Sequence, residues 1–402
     1  MKKTIISLAT ASLIASSAMA ADKGIDFTTT GQAVVYYQTA DTAGDDLFDQ
    51  TKAAANVGVQ INLASDLKNG FGMGAQLTYL GTAGLEKNLV SGVMQTTNGN
   101  IAMQNLSDEV ALTKIFLTKK ISNTTVKIGR QELPKALSPL AFSEGWNVFK
   151  NTFEAALIVN TDIPDTTLVG AYVGQSNKHS ALGQFSNLTV NGALAVNGEA
   201  YMVTALNKSI PMTTVTASYY ALKDIDVADS ADAIWVDAQI ADKSFPMGVK
   251  VGLQGGTIMP EADALDDTTA FGVKVGAAPV ENLKVCAAFT TVNDGAAHVV
   301  NTGTGVKTPL YTQMVANQGA IQSDNSTFML KGAYSLGDMG TVIAQGSYTN
   351  DNSDAENDTT DLELLYTTKV SGMNLLAAYV NTKKDNDDVA NHIVRVVARY
   401  AF

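Results

Sequence analysis

Residues able to do covalent chemistry are scarce in this chain, and their spacing assembles no catalytic set. Histidine occurs three times, at His179, His298 and His392, and cysteine once, at Cys286. There is no Gly-x-Ser-x-Gly elbow, His-Glu-x-x-His pair or phosphate-cradling glycine loop. What recurs instead is charge and polarity at fixed parity. Lys127, Gln239, Lys250, Lys274, Lys284, Lys331, Glu363, Arg395 and Arg399 each fall opposite an alternating apolar face. Such side chains hold water, ions and polar solutes by electrostatics, without making bonds. Facing hydrocarbon, each lysine would cost about 2–4 kcal/mol, so parity assigns them to a wet interior.

The elements that position them read as strands. Val57, Val59, Ile61 and Leu63 alternate with polar or small residues, as do Phe271, Val273 and Val275, and Leu283, Val285, Ala287 and Phe289. About eighteen such segments run from 27–38 to 391–402, most near the ~9–11 residues that a tilted strand needs to cross a bilayer. Short turns, such as Lys68–Gly70 and Ser371–Gly372, alternate with long connections, such as 81–108, 176–198 and 294–324. That rhythm is the one expected of a transmembrane antiparallel β-barrel, all-β, with tight periplasmic turns and long extracellular loops. No later segment has the unbroken apolar length of a spanning helix.

Both ends agree with a barrel. Lys2 and Lys3, the apolar stretch Thr4–Ile14 and Ala18-Met19-Ala20 form a signal-peptide pattern over 1–20, leaving 21–402 as one domain. At the other end Val394, Val396, Ala398, Tyr400 and Phe402 share a face opposite Arg395 and Arg399. Tyr400 and Phe402 are read as an assembly signal. With Lys2 and Lys3 removed, 25 basic residues face 39 acidic ones, which argues against a nucleic-acid partner. Acidic residues crowd the long loops, at Asp41, Asp45, Asp46 and Asp49, at Asp224, Asp226, Asp229 and Asp232, and at Asp351, Asp354, Glu356 and Asp358. Solvated loops explain them. Ca²⁺ bridging, to one another or to lipopolysaccharide, is the alternative, although the spacing is not that of an EF-hand.

One connection is more specific. Gly129-Arg130-Gln131-Glu132-Leu133, a proline-containing stretch through Pro134 and Pro139, and Asn151-Thr152-Phe153-Glu154-Ala155 resemble the third-loop region of Campylobacter-type major outer membrane porins, which are related to OprD-like channels. In motif the resemblance covers about residues 126–155 and the terminal aromatic. It implies eighteen strands, a homotrimer and a loop 131–151 folded in as a constriction, with Glu132, Lys135 and Glu144 facing Lys127, Arg395 or Arg399. The competing reading leaves that loop exposed, with Trp146 and Phe149 at the membrane interface. Arg130 is counted with the pore-lining candidates, although by strict alternation it shares the lipid-facing side with Val126 and Ile128; either it lies above the apolar band or a bulge re-aims it. OprD-like channels selective for carboxylates carry an arginine ladder, and here there are only Arg130, Arg395 and Arg399.

The reading that follows is an outer-membrane porin passing ions and small hydrophilic solutes passively, without a cofactor. A substrate-selective OprD-like channel is the runner-up. A barrel hydrolase and a non-channel surface β-protein are the readings from other classes. The barrel-assembly machinery, outer-membrane lipid and lipopolysaccharide are the expected partners.

Overall fold

Alternating segments joined by tight turns pair with their neighbours in sequence, and the structure, a computed structural model, follows this rule throughout. It describes residues 26–41, 46–99, 108–192, 196–225, 229–353 and 357–402. The expected signal segment 1–20 lies outside them. The wall begins with β1 (Phe27–Asp41), β2 (Ala53–Lys68), β3 (Phe71–Gly81), β4 (Glu109–Ile121), β5 (Thr124–Gln131) and β6 (Phe153–Asn160). It continues with β7 (Thr166–Lys178), β8 (Ala181–Val190), β9 (Val196–Asn207), β10 (Thr213–Ile225), β11 (Asp229–Ala241) and β12 (Lys250–Pro260). It ends with β13 (Thr268–Val280), β14 (Leu283–Val292), β15 (Asn325–Ser335), β16 (Thr341–Asp351), β17 (Thr359–Val370), β18 (Met373–Lys384) and β19 (Asn391–Ala401).

Every pairing between two described strands is antiparallel, and β1 meets β19 from Gln32↔Ala401 to Asp41↔His392, so the sheet closes. Closure leaves no unpaired edge, which a wall in hydrocarbon requires. β7 and β9 pair directly from Thr166↔Asn207 to Val173↔Ala200. β8 is inserted beyond that stretch, touching β7 near Gln175↔Asn187 and β9 near Leu188↔Gly198. Eighteen of the nineteen described strands therefore complete the ring, and β8 is an addition at its long-loop end. The sequence reads 176–198 as a connection because Gly183, Gln184, Ser186 and Asn187 break any apolar face in β8.

Parity holds along the wall. In β17, Leu362 and Leu364 are 56% and 53% exposed, whereas Asp361 and Glu363 between them are 0% and 3% exposed. An exposed leucine here faces outward, and a covered carboxylate faces in. Short turns use left-handed residues, as at Asn69-Gly70 and Ser371-Gly372, where a two-residue connection must match the strand twist.

The interior is partly filled. Residues 132–152 (L3, the third long loop) and 293–324 (L7, the seventh) enter the barrel and pack on its inner face. Leu133, Leu140, Val299 and Leu310 join one buried cluster with Val173, Met202 and Trp235 of the wall. Val148 and Phe149 join a second with Val34, Tyr36, Leu80 and Val397. The expectation that every long loop lies outside the barrel is thereby corrected for 294–324.

Candidate functional site

The lumen is built from the inner wall and these two loops. L3 leaves β5 at Gln131, whose side-chain amide donates to the Ala155 carbonyl at 2.9 Å. Glu132 then accepts from Lys114 of β4 and from Lys150 at 3.0 Å. Burial pushes the Glu132 carboxyl up, but Lys114 and Lys150 outweigh it and hold the group below the usual carboxylate range. The far limb of L3 is tied down by Arg399, which donates to the Val148 and Asn147 carbonyls at 2.7 and 2.6 Å. Arg395 donates twice to Gln38 Oε1, at 3.0 and 2.8 Å, with its guanidinium 5.9 Å from the Trp146 ring.

Glu144 joins the two loops. It is buried, and it accepts from the Trp146 indole at 2.5 Å, from Asn301 at 2.7 Å, from the Lys307 backbone at 3.1 Å and from the Thr304 hydroxyl. L7 is pinned to the wall at two separate places, on β11 and β17. Tyr311 donates to Asp237 of β11 and accepts from Gln239 at 2.6 Å, while Lys274 lies 4.0 Å over its ring. Glu363 of β17 accepts from the Val315 and Ala316 amides at 2.8 and 3.0 Å. The Lys307 ammonium is caged by the Val315 and Met314 carbonyls and by Gln318, at 2.7, 3.2 and 2.8 Å. Burial pulls it down to about 8. Lys135 crosses between the loops and donates to the Thr308 carbonyl at 3.0 Å.

Two hollows flank the L3 tip and share Gly145 and Arg399. One, about 360 Å³, is lined by Gln32, Gln60, Asn62 and Gln76 with Lys114, Lys150 and Glu132. The other, about 500 Å³, brings Trp146, Lys307, Lys369 and Arg395 together with Leu376 and Val397. Net positive charge lines both.

The remaining candidates lie apart. Lys127 points inward with its ammonium 3.9 Å over the Phe116 ring. Lys331 is on the inner face of β15, opposite Gln345. Lys250 and Lys284 are exposed near the short-turn end, away from both inward loops. Tyr400 and Phe402 face outward, and Phe402 and Gly31 exchange backbone hydrogen bonds of 2.7 and 3.0 Å. Arg130 requires a correction: it does not line the lumen. It shares the outer face with Ile128, pairs with Glu154 at 2.8 Å and donates to the Leu112 carbonyl at 3.2 Å. Among the described residues no three of His, Cys, Asp and Glu gather to hold a metal ion; Asp45, Asp226, Asp354 and Glu356 lie outside them.

Sequence reasoning missed Lys114, Lys150, Lys307, Tyr311 and Asp237. Lys114 is hidden by a bulge in β4, where Thr113 is an extra residue between Leu112 and Lys114. Strict alternation puts Lys114 on the lipid side with Leu112; the bulge turns it inward. L7 gave no signal, since its apolar residues follow neither period.

No family profile and no curated protein matches the chain. Solved structures do. OccK8 (OprE) of Pseudomonas aeruginosa aligns with a TM-score of 0.78 at 14% identity, covering 94% of this chain and 98% of its own. OccAB3 of Acinetobacter baumannii gives 0.74 at 14% identity, covering 94% and 99%. A BenF-like porin from Pseudomonas fluorescens Pf-5 gives 0.72 at 14% identity, covering 94% and 98%. Over nearly its whole length, this chain has the fold of the Occ-type outer-membrane porin barrels.

Proposed function

We propose that the chain is an outer-membrane porin through which ions and small hydrophilic solutes diffuse passively. The observation that carries this is a closed barrel with an apolar outside and a polar inside, narrowed by two loops that its own inner wall clamps. A soluble sheet has no use for an apolar belt around its full circumference. On this reading the short turns face the periplasm, L3 and L7 form the constriction, and the acidic loops meet incoming solutes first. Their field differs in sign from that of the passage, where Lys114, Lys135, Lys150, Lys274, Lys307, Lys369, Arg395 and Arg399 outnumber Glu132, Glu144, Asp237, Asp361 and Glu363. In a narrow, weakly screened channel the nearer charges dominate, so the pore prefers anions.

Selectivity for particular solutes, as in OprD-like channels, is the second reading, favoured by the built hollows beside Trp146 and Arg399. The Campylobacter-type motif around residues 126–155 adds a homotrimer to the proposal. Phe402 is the signal read during assembly, and outer-membrane lipid and lipopolysaccharide surround the wall. No catalytic step is proposed.

Single-channel recording of the refolded 21–402 chain under a salt gradient tests the reading. Discrete steps with a reversal potential on the anion side are expected. A folded barrel that never conducts would overturn the porin, and a cation-side reversal would overturn the charge assignment alone.

A further inference from the structure

The smaller hollow beside the L3 tip, about 360 Å³, is lined by polar side chains and Gly145, with no aromatic or aliphatic residue. The larger one, by contrast, has Trp146, Leu376 and Val397. Strand register builds the polar wall. Gln32 lies opposite Gln60 across β1 and β2, Asn62 opposite Gln76 across β2 and β3, and Lys114 of β4 opposite Gln76. The four carboxamides form one directed chain. Gln32 donates to Gln60 at 2.7 Å, Gln60 to Gln76 at 3.1 Å and Gln76 to Asn62 at 2.7 Å. The Thr113 hydroxyl donates to Gln76 Oε1 at 2.8 Å and fixes the middle of the chain. Its ends are open: no described residue donates to Gln32 Oε1 or accepts from Asn62 Nδ2. A free acceptor at one end and a free donor at the other suit neighbouring hydroxyls, which both give and take hydrogen bonds.

The charges lining the same hollow are Lys114, Lys150 and Arg399 against the single carboxylate of Glu132. Glu132 accepts one bond from each ammonium. An ammonium has three donors, so each lysine keeps two for a ligand. Arg399 spends its Nη1 and Nη2 on L3 carbonyls, which hold the guanidinium without neutralising it. About half of the Lys150 side chain is exposed, so an anion can reach it from the passage. The excess of two positive charges matches a phosphate monoester, which carries about −1.5 to −2 at pH 7. A monocarboxylate would balance only half of it, and an aromatic acid would find no apolar surface there.

We propose that this hollow binds polyols carrying a phosphate monoester, with the phosphate on Lys114 and Lys150 and the hydroxyls along the carboxamide chain from Gln32 to Asn62. Its volume falls in the range of about 300–1,000 Å³ common to small-molecule sites. The proposal rests on the reading of the lumen as a solute passage, and it names one solute class for that passage.

The test is isothermal titration calorimetry of the refolded barrel in detergent and phosphate-free buffer, with glucose 6-phosphate, inorganic phosphate, glucose and benzoate as probes. Glucose 6-phosphate should bind about tenfold tighter than inorganic phosphate or benzoate, as one or two net hydrogen bonds would give, and glucose weakest. Gln32→Met with Asn62→Leu should remove the advantage of the ester over inorganic phosphate. Lys150→Gln should weaken both phosphates. Heat-dependent gel migration confirms that each variant is folded, and Gln32→Met alone should narrow the advantage if the pair does not fold. Equal binding of the ester and inorganic phosphate, or an advantage that survives the carboxamide substitutions, overturns the proposal. So does benzoate binding as tightly as glucose 6-phosphate, which would make the hollow a site for any anion. Channel recording separates this outcome from the porin reading: conductance without discrimination sinks the site alone, and binding without conductance sinks the porin alone.

Discussion

At the scale of single residues, several charges that parity assigns to the passage also serve as clamps. Arg399 spends two guanidinium nitrogens on L3 carbonyls, and hydrogen bonds to charged groups contribute about 1.5–3 kcal/mol each. Arg399→Ala should therefore release the far limb of L3, raising single-channel conductance and open-state noise. Arg399→Lys should rescue this only in part, because a point ammonium does not reproduce the planar fork. Unchanged conductance in both variants would show that L3 is held without the arginine.

Lys307 yields a pH prediction. The folded group loses its proton near 8, while an exposed lysine does so near about 10.4. Between those values the unfolded chain holds the extra proton, so from this group stability rises with pH across the window. The passage meanwhile loses a positive charge close to Glu144, Arg395, Glu363 and Lys135. Burial also pulls Lys135 down to about 8. Anion preference, read as reversal potential, should therefore fall between about pH 7 and pH 9, and the step should shrink in Lys307→Gln and vanish when Lys135→Gln is added. A step that persists in the double variant would assign the titration elsewhere.

At the scale of elements, the strands were legible and the inward loops were not. A strand announces itself locally, because lipid on one side and water on the other impose period two. Leu362, Glu363 and Leu364 show this without any neighbour. L7 has no such rule: its residues lie against wall positions far away in sequence, as Tyr311 does against Asp237 and Val315 against Glu363. Replacing 300–320 by a short glycine–serine linker should enlarge conductance several-fold and weaken anion preference, with β content by circular dichroism retained. Unchanged conductance would mean that L7 does not narrow the path. Arg130 and Lys114 illustrate the same limit. Alternation handled Arg130 correctly and Lys114 wrongly, because only Lys114 lies beyond a bulge.

At the scale of the whole molecule, closure is decided at one seam. The Phe402 ring lies where a Gly31 side chain would be, within 2.5 Å of its Cβ position, and the two residues exchange backbone hydrogen bonds. Gly31→Val should displace the ring and lower the folded yield in bilayers, as should Phe402→Ala, measured by heat-dependent migration on a gel. Full yield in both would remove the terminal aromatic from the closing step.

By itself the sequence determined the class of wall, the approximate number of strands, the side each unbulged strand turns to water and the end that carries the long loops. These follow from solvent contact residue by residue, so they are written locally. Tertiary structure alone decided that L7 enters the lumen, that Glu144 latches it to L3, that Lys114 faces the passage and that β8 stands apart from the ring. Each depends on a partner brought near only when the barrel closes, or on an extra residue that shifts the register, and neither leaves a periodic trace along the chain.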